Sequence, residues 1–538
     1  MKIRRSTLFA AMAIFSCVAL LYGPFVNSAP FFDDTFFFAD PKGSLGNLSL
    51  SRLLDTRWVW RGTLALTYWL WGISYSAYRI GNLLIHALTA FSLFLFVRDL
   101  LEHERRTGPD LPAFAASLLF AVHPVAAFAV GYILQRSIVL AGLFSVWMWI
   151  AVHRGIAGER KSWLFASVFF FYLAVYSKEF AVTALPVALL VAWNASNGSV
   201  RKAFRSIVLP LLFWILIAII ITLRVKGYIG TTYETLLLHM GITDQATGGY
   251  LLRSYTNQSW LFFKYLLYWL LPNGAWMSID MREPFPPSWY SWPWVAGLAA
   301  FFAYGSLAGV ALWRGILPRL LAFGLVAPWL LFLTMFSAVF FQEPFVLYRS
   351  YLWILPGTLL VAVLLEKVAR RTQVLALVVL GTVLFGLTWS RLQIFSDPVS
   401  LWTESIERLG GNDGLPGAYR MYNIRAHEYE SRGGPRNLAA AIADYDRAIK
   451  LNPAYPNAHN DRGVARFYMG DYAGALRDFS TALDLKPEYQ MARRGRGLAL
   501  LKLGRRNEGL EDLALACFKF GFGCDLYQYE LKNPDKPL

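Results

Sequence analysis

The chain has 538 residues, of which 56% are hydrophobic and only 16% are charged, and its formal net charge is +16. Soluble domains carry about a quarter charged residues, so this composition indicates a membrane protein and excludes an ordinary soluble one. The basic residues stand in short clusters between apolar runs (EHERR, HRGIAGERK, VRKAFR and KVARR). The positive-inside rule expects such clusters in the cytoplasmic loops of a membrane protein. The topology therefore accounts for the positive charge, and no nucleic-acid partner is predicted.

Roughly eleven apolar stretches are long enough to cross a membrane, which takes about 20 residues, or fewer where neighbouring helices shield the ends. The predicted spans are 7–26, 80–99, 113–131, 134–152, 163–177, 180–194, 207–223, 294–313, 319–340, 351–367 and 373–390. The first has the basic start and the small-residue triplet NSA of a cleaved signal peptide. Pro30 directly after that triplet would hinder cleavage, so we expect a retained span with a cytoplasmic N-terminus.

One apolar segment, SWLFFKYLLYWLL at 259–271, is predicted not to cross. It is short and contains Lys264, and a charge at the bilayer centre costs roughly 2.5–3.5 kcal/mol. Crossing would also turn every later basic loop outward. We therefore expect a re-entrant or interfacial helix on the outer face. The odd number of crossings then places the chain beyond residue 390 outside, in the periplasm if the membrane is a bacterial inner membrane.

The C-terminal part of the chain is charged and amphipathic, and it contains an internal repeat. Ala441 and Pro453 recur 34 residues later as Ala475 and Pro487, within the copies AAAIADYDRAIKLNP and AGALRDFSTALDLKP. This pattern resembles the tetratricopeptide repeat, with two good copies, a degenerate third at 488–521 and a candidate half-repeat at 401–410. Such repeats form concave surfaces that hold peptides or partner proteins, and the alternative is a stabilising cap or an oligomerisation module.

The predicted fold is all-α. A polytopic membrane domain, 1–390, with an outer loop at 27–79, precedes an extracytoplasmic repeat solenoid, 391–538. Cys517 and Cys524 form a disulfide if this end is extracytoplasmic, or else remain two unpaired thiols in a small helical core.

Several motifs in the membrane part, taken in order, point to a family. They are FFDD in the first outer loop, NLLIHALTAFSLFLFVRDL, LLFAVHPVAAFAVGYILQRSIVLAGLFSVWMWI, YSKEFAVTALP, QEPFVLYRSYLWILPG, and LWTESIER before the repeats. In this combination the chain resembles the transmembrane-and-tetratricopeptide-repeat proteins, which are type-C glycosyltransferases. The resemblance implies transfer of a sugar from a polyprenyl-phosphate donor on the outer face, with an acidic residue of the first outer loop as catalytic base. The eukaryotic members of this family are protein O-mannosyltransferases, and they usually have a threonine and a glutamate where this chain has Ala127 and Phe128. The resemblance therefore does not imply that the transferred sugar is mannose.

The adjacent acids Asp33 and Asp34 stand among phenylalanines just past the first predicted span. Transfer of a phosphate-linked sugar to a hydroxyl needs a base, and a carboxylate beside another one and beside aromatic surface suits that work. A single base with direct displacement inverts the anomeric centre. The two acids can instead hold a divalent cation such as Mg²⁺ or Mn²⁺, form a solvated loop pair or cap a helix. The phenylalanines are expected to form a lipid-contacting wall.

Four basic residues are candidates for the donor phosphate. Arg349 lies between the apolar FVL and SYLW at the predicted outer mouth of a span, where a guanidinium can hold phosphate oxygens. The others are Arg136, Lys178 and His123, each at a predicted outer helix end or turn; His123 can equally cap its own helix.

Three acids, Glu179, Asp280 and Glu343, are candidates for contacts with sugar or acceptor hydroxyls, although Glu179 can equally pair with Lys178. His86 is expected to be a packed core residue, and no metal-ligand spacing among the histidines is predicted.

The leading hypothesis is thus an integral membrane glycosyltransferase whose outer repeats present a protein acceptor. The alternatives are transfer to a lipid or polysaccharide acceptor, a non-enzymatic scaffold for envelope assembly, and a transporter. The lack of an obvious internal repeat in the membrane part argues against the last.

Overall fold

The structure is a computed structural model that describes residues 4–31, 34, 37–38, 55–226, 244–341 and 343–533. The described part of the chain is helical, and the predicted all-α fold is confirmed. Eight of its helices are long and apolar enough to cross a membrane, or nine if one bent pair counts as a single span. They are Arg5–Phe25, Tyr75–His103, Ile133–Ala157, Val200–Val225, Trp294–Arg314, Arg319–Phe336, Leu347–Glu366 and Arg370–Phe395, with the bent pair Asp110–Ala121 and Pro124–Val130.

These nine candidates coincide with nine of the predicted spans. The other two predicted spans, 163–177 and 180–194, fall on the shorter apolar helices Lys161–Ser177 and Glu179–Ala195. The chain is therefore a multi-span membrane protein, and the crossing of these two shorter helices stays a prediction.

The bend of 60° between Asp110–Ala121 and Pro124–Val130 follows from the sequence VHPV. Proline favours an extended conformation in the residue before it and is well suited to the first turn of a helix. His123 is accordingly extended and Pro124 opens the second helix. The carbonyl groups released at the break find partners, because His86 donates to Ala121 at 3.0 Å and Thr388 donates to Val122 at 2.7 Å.

The segment predicted at 259–271 belongs to a longer helix, Asp244–Leu270. This helix is not among the described helices that are long and apolar enough to cross. Lys264 forms an ion pair with Glu283. The placement of this helix on the outer face of the membrane stays a prediction.

The chain divides into two compact units, the first formed by 1–279 and 283–397 and the second by 280–282 and 398–538. In the second unit, helices pair in antiparallel order as a tetratricopeptide solenoid does. Repeat 1 is formed by Ala418–Arg432 and Pro435–Leu451, repeat 2 by Pro456–Tyr468 and Tyr472–Leu485, and repeat 3 by Gln490–Lys502 and Arg506–Phe520. The helix Pro398–Glu407 precedes them and Cys524–Lys532 follows.

The repeat residues pack as their spacing predicts. Phe479 is buried between the helices of repeat 2, and a Cβ added at Gly463 would lie 2.9 Å from its ring, so only glycine fits there. The degenerate third copy is a complete helix pair. Of the two alternatives for the cysteines, the structure has the disulfide between Cys517 and Cys524.

One ion pair recurs in every repeat and joins its two helices. Arg425 binds Asp444, Arg462 binds Asp478, and Arg496 binds Asp512, each through two hydrogen bonds of 2.6–3.0 Å to the two carboxylate oxygens. We call these three pairs the arginine–aspartate ladder. The aspartates are buried and the arginines partly so, and such bidentate pairs have the geometry that makes charge-assisted bonds strong.

Asp478→Asn is expected to lower the free energy of unfolding of the second unit by about 3 kcal/mol, because the partly buried Arg462 loses its bidentate partner and Arg466 loses its contact with the same carboxylate. Urea-dependent pulse proteolysis of the full-length protein measures this. Asp446→Asn is the matched control, since Asp446 pairs with the same Arg462 but its side chain is 51% exposed. Its loss is expected to cost less than about 1 kcal/mol. Equal effects of the two changes would contradict the ladder's role.

Candidate functional site

Asp34 lies buried against the start of the span helix that begins at Ile133. The backbone N–H groups of Ile133 and Leu134 donate to its two carboxylate oxygens, each at 3.0 Å. A carboxylate at a helix N-terminus satisfies orphan donors there and is favoured by the helix dipole. The guanidinium of Arg79 interacts electrostatically with Asp34 and donates to the carbonyl oxygens of Ser28 and Ala29. Asp34 thus anchors the first loop to a helix end, and Asp33 lies outside the described residues.

The expectation that the phenylalanines form a lipid-contacting wall is wrong for those that the structure describes. Phe31, Phe37 and Phe38 are buried within the protein. Phe37 and Phe38 pack on Tyr78, and Phe31 contacts the rings of Tyr132 and Phe395. The aromatic residues fix the loop to the helices because burying their large apolar surface removes it from lipid and water alike.

Arg349 lies in the turn that opens the helical segment Leu347–Glu366. It is buried, donates to the carbonyl oxygen of Glu343 at 2.8 Å, and stands 4.4 Å above the ring of Phe340. Its guanidinium is 4.0 Å from the Glu343 carboxylate. Next to it, Tyr348 contacts the ring of Tyr132, which links this turn to the segment that Asp34 caps.

Lys178 and Glu179 lie at the break between the helices Lys161–Ser177 and Glu179–Ala195. Glu179 accepts two hydrogen bonds from Arg57, at 3.0 and 2.6 Å. Lys178 lies outside both helices, and its pKa is lowered to about 7, first by burial and then by the positive charge of Arg57; Glu179 opposes this and Arg349 adds to it. Because Arg57 and Arg349 both act electrostatically on Lys178, we call these three residues the cationic cluster. Glu179, which pairs with Arg57, lies among them.

Arg57 was not among the sequence candidates. It precedes the helix Trp58–Trp71 and has a left-handed backbone conformation, with φ at 59°. Such a conformation is costly for a residue with a side chain, but Arg105, Glu159 and Asn197 share it, so it does not by itself mark a site. No local signal distinguished Arg57, because the predicted outer loop 27–79 contains four other basic residues, Lys42, Arg52, Arg61 and Arg79.

Arg136 is buried, and the contacts that the structure describes for it are with residues outside the cationic cluster. Its guanidinium donates to Asn82, Thr63, Thr67 and Tyr78 at 2.7–3.0 Å. A Cβ added at Gly81 would stand 2.7 Å from its Nη2 atom. These contacts support a structural role, in which Arg136 holds neighbouring helices together.

His123 and His86 both lie in the packed interior. His123 accepts from the backbone N–H of Val125 and donates to Trp269, on whose ring it stacks at 4.4 Å. His123 therefore takes the capping alternative, with both ring nitrogens engaged. His86 accepts from Tyr351 at 2.8 Å and donates to Ala121, in agreement with the expected core role.

The remaining acids are separated by the division of the chain. Glu343 belongs to the first unit, whereas Asp280 belongs to the second, where it pairs with Arg282. Among the described residues, no group of three or more histidine, cysteine, aspartate or glutamate side chains is arranged to hold a metal ion.

Comparison with known families identifies the repeats. Residues 437–470 match the family described as TPR repeat, and residues 460–518 match the family described as tetratricopeptide repeat. No curated protein sequence matches the chain. Since tetratricopeptide repeats mediate contacts between proteins, the second unit is a tetratricopeptide-repeat module suited to protein–protein interaction.

Proposed function

We propose that the protein is an integral membrane glycosyltransferase that moves a sugar from a polyprenyl-phosphate donor to a hydroxyl group of an extracytoplasmic protein. The observation that carries this proposal is the cationic cluster, in which Arg57 and Arg349, from two other segments, both lower the pKa of Lys178. Glu179 already pairs with Arg57, and Glu343 lies near Arg349. A bound anionic group would offset the repulsion that remains among the three cations.

The cationic cluster has the chemistry that a departing lipid phosphate requires. Guanidinium groups can hold two phosphate oxygens at once, and an ammonium group adds a point charge. In the proposed reaction, the phosphate stays on the lipid and leaves as an anion, which the three cations stabilise. The apolar span helices provide the surroundings for the polyprenyl chain.

The two adjacent acids take different parts in the proposal. Both carboxylate oxygens of Asp34 already accept backbone hydrogen bonds, so Asp34 is a positioning residue that fixes the loop. Asp33 is then the base. It removes the proton of the acceptor hydroxyl, whose oxygen attacks the anomeric carbon as the bond to the lipid phosphate breaks. This single displacement inverts the anomeric centre. Glu343 and Glu179 are proposed to orient sugar hydroxyls.

The two predicted domains are proposed to have different functions. Residues 1–390 would carry out transfer and 391–538 would present the acceptor outside the membrane, in the periplasm of a bacterial cell. The second candidate is a non-enzymatic scaffold for envelope assembly, and it is favoured by the family matches, which concern protein–protein interaction alone.

Asp33→Asn is expected to lower transfer by about 10²–10⁴-fold, the usual contribution of a general base, without loss of thermal stability. The measurement is mass spectrometry of envelope glycopeptides that disappear when the gene is deleted and return with the wild-type copy. Asp34→Asn is expected to lower transfer and also to lower the free energy of unfolding by about 1–3 kcal/mol. The reason is that the new amide group would face a backbone N–H donor.

The exposed Glu159 provides the control for this experiment, since Glu159→Gln should change neither quantity. Full transfer in both aspartate variants would refute the assignment of the base. If no glycopeptide depends on the gene, the protein acceptor is refuted and the scaffold is favoured.

The pH dependence of donor binding tests the cationic cluster. Lys178 is charged below its pKa of about 7 and neutral above it, so affinity for a polyprenyl phosphodiester, whose own charge is constant, should fall as the pH rises from 6 to 9. The expected loss is about tenfold, the effect of removing one charge near the phosphate. In Lys178→Arg the charge persists at both pH values, and the affinity should stay level. The same fall in this variant would exclude Lys178 as its cause.

A further inference from the structure

The second unit contains a group of polar side chains that the ladder does not use. It is centred on Asp461, in the first helix of repeat 2. Asn460 donates to one Asp461 carboxylate oxygen at 2.9 Å, and Asn423, from the first helix of repeat 1, donates to the other at 3.4 Å. We call this group the Asp461 cluster. It bridges two consecutive repeats on the side formed by their first helices.

Asp461 differs from the three aspartates of the ladder, each of which binds an arginine. Among the described residues, no arginine or lysine forms an ion pair with Asp461. Burial is the largest influence on its pKa and raises it, against the hydrogen bonds of Asn460 and Asn423 and the charge of His427. Glu430 adds a second negative charge nearby, and its pKa is likewise raised. Asp461 thus acts electrostatically on a second carboxylate, and His427 acts on both.

The two asparagines also present atoms that the protein does not satisfy. Asn423 and Asn460 are 8% and 3% exposed, and the side-chain oxygen of each accepts no hydrogen bond from the described residues. Leaving a buried acceptor unsatisfied costs about 1–3 kcal/mol. Because the amide nitrogens point to Asp461, the two oxygens are the acceptors that remain for another donor.

Two tyrosines lie within electrostatic reach of Asp461. Tyr455 and Tyr489, at the starts of the first helices of repeats 2 and 3, both interact electrostatically with Asp461. Tyr455 also contacts the ring of Tyr419 at 4.8 Å. Negative charge, acceptor oxygens and ring surfaces together match a group that carries positive charge, several N–H donors and an apolar stem.

We propose that the Asp461 cluster binds a lysine or arginine side chain of a partner protein that lies along the first helices of the repeats. The cation would pair with Asp461 and donate to the asparagine oxygens, which supplies the partner that each ladder aspartate already has. Asp461 is partly exposed, so a side chain can reach it from solvent. This inference does not depend on the transferase activity, since it concerns the second unit alone.

An array of random twelve-residue peptides, probed with the full-length protein in detergent, tests the proposal. The bound peptides are expected to be enriched in lysine or arginine, and replacing that residue by norleucine should weaken binding about tenfold, as loss of a charge-assisted hydrogen-bonded pair does. Asp461→Asn should remove the preference for basic peptides. Asp484→Asn, which deletes an exposed carboxylate on the second helix of repeat 2, should leave it intact.

Stability separates binding from a structural role. Since Asp461→Asn removes a partly buried charge that no described arginine or lysine pairs with, the urea midpoint of the second unit should stay level or rise. If Asp461→Asn unfolds the second unit instead, Glu430→Gln serves as the second variant and should weaken the binding of basic peptides several-fold. Selected peptides that lack basic residues, or unchanged binding of basic peptides by Asp461→Asn or Glu430→Gln, would overturn the proposal.

Discussion

The membrane part of this protein depends on one constraint, that backbone groups freed at a helix break in apolar surroundings must find partners inside the protein. At the break before Pro124, His86 and Thr388 supply donors to the released carbonyl groups. At the break before Arg136, the amide of Asn82 lies within 3.2–3.4 Å of three carbonyl oxygens, and Asp34 accepts the two N–H groups. Polar side chains inside the spans are therefore first of all structural.

This constraint separates two kinds of buried cation. Arg136 and Arg79 donate to carbonyl groups and neighbouring side chains, and their contacts explain why the chain retains them. Lys178 is different, because burial, Arg57 and Arg349 all lower its pKa, and only Glu179 among the groups that act on it raises it. A group of cations that repel one another is not explained by packing, and this is why the proposed phosphate site rests on the cationic cluster and not on every buried arginine.

The same distinction holds in the repeats. The arginine–aspartate ladder joins the two helices of each repeat and gives each of its aspartates a basic partner, whereas the Asp461 cluster gathers acceptors and negative charge across two repeats. A charge that the fold itself does not need is the usual sign of a site kept for a partner, since such residues reduce stability. The candidate site of the second unit is a place where buried acceptors have no donor, and that of the first unit is a place where two arginines act on a lysine.

The sequence by itself determined the all-α fold, nine of the candidate spans and the repeat, because apolar length and a 34-residue period are local properties of the chain. It also identified Lys178, Glu179 and Arg349 as candidates. Tertiary structure alone decided that Arg57 joins them and that Arg136 and His123 are engaged in packing and capping. It also decided that Phe31, Phe37 and Phe38 of the first loop are buried. Those outcomes depend on contacts between residues distant in the chain, such as Arg57 with Glu179, and no local pattern encodes which partner a buried charge will meet.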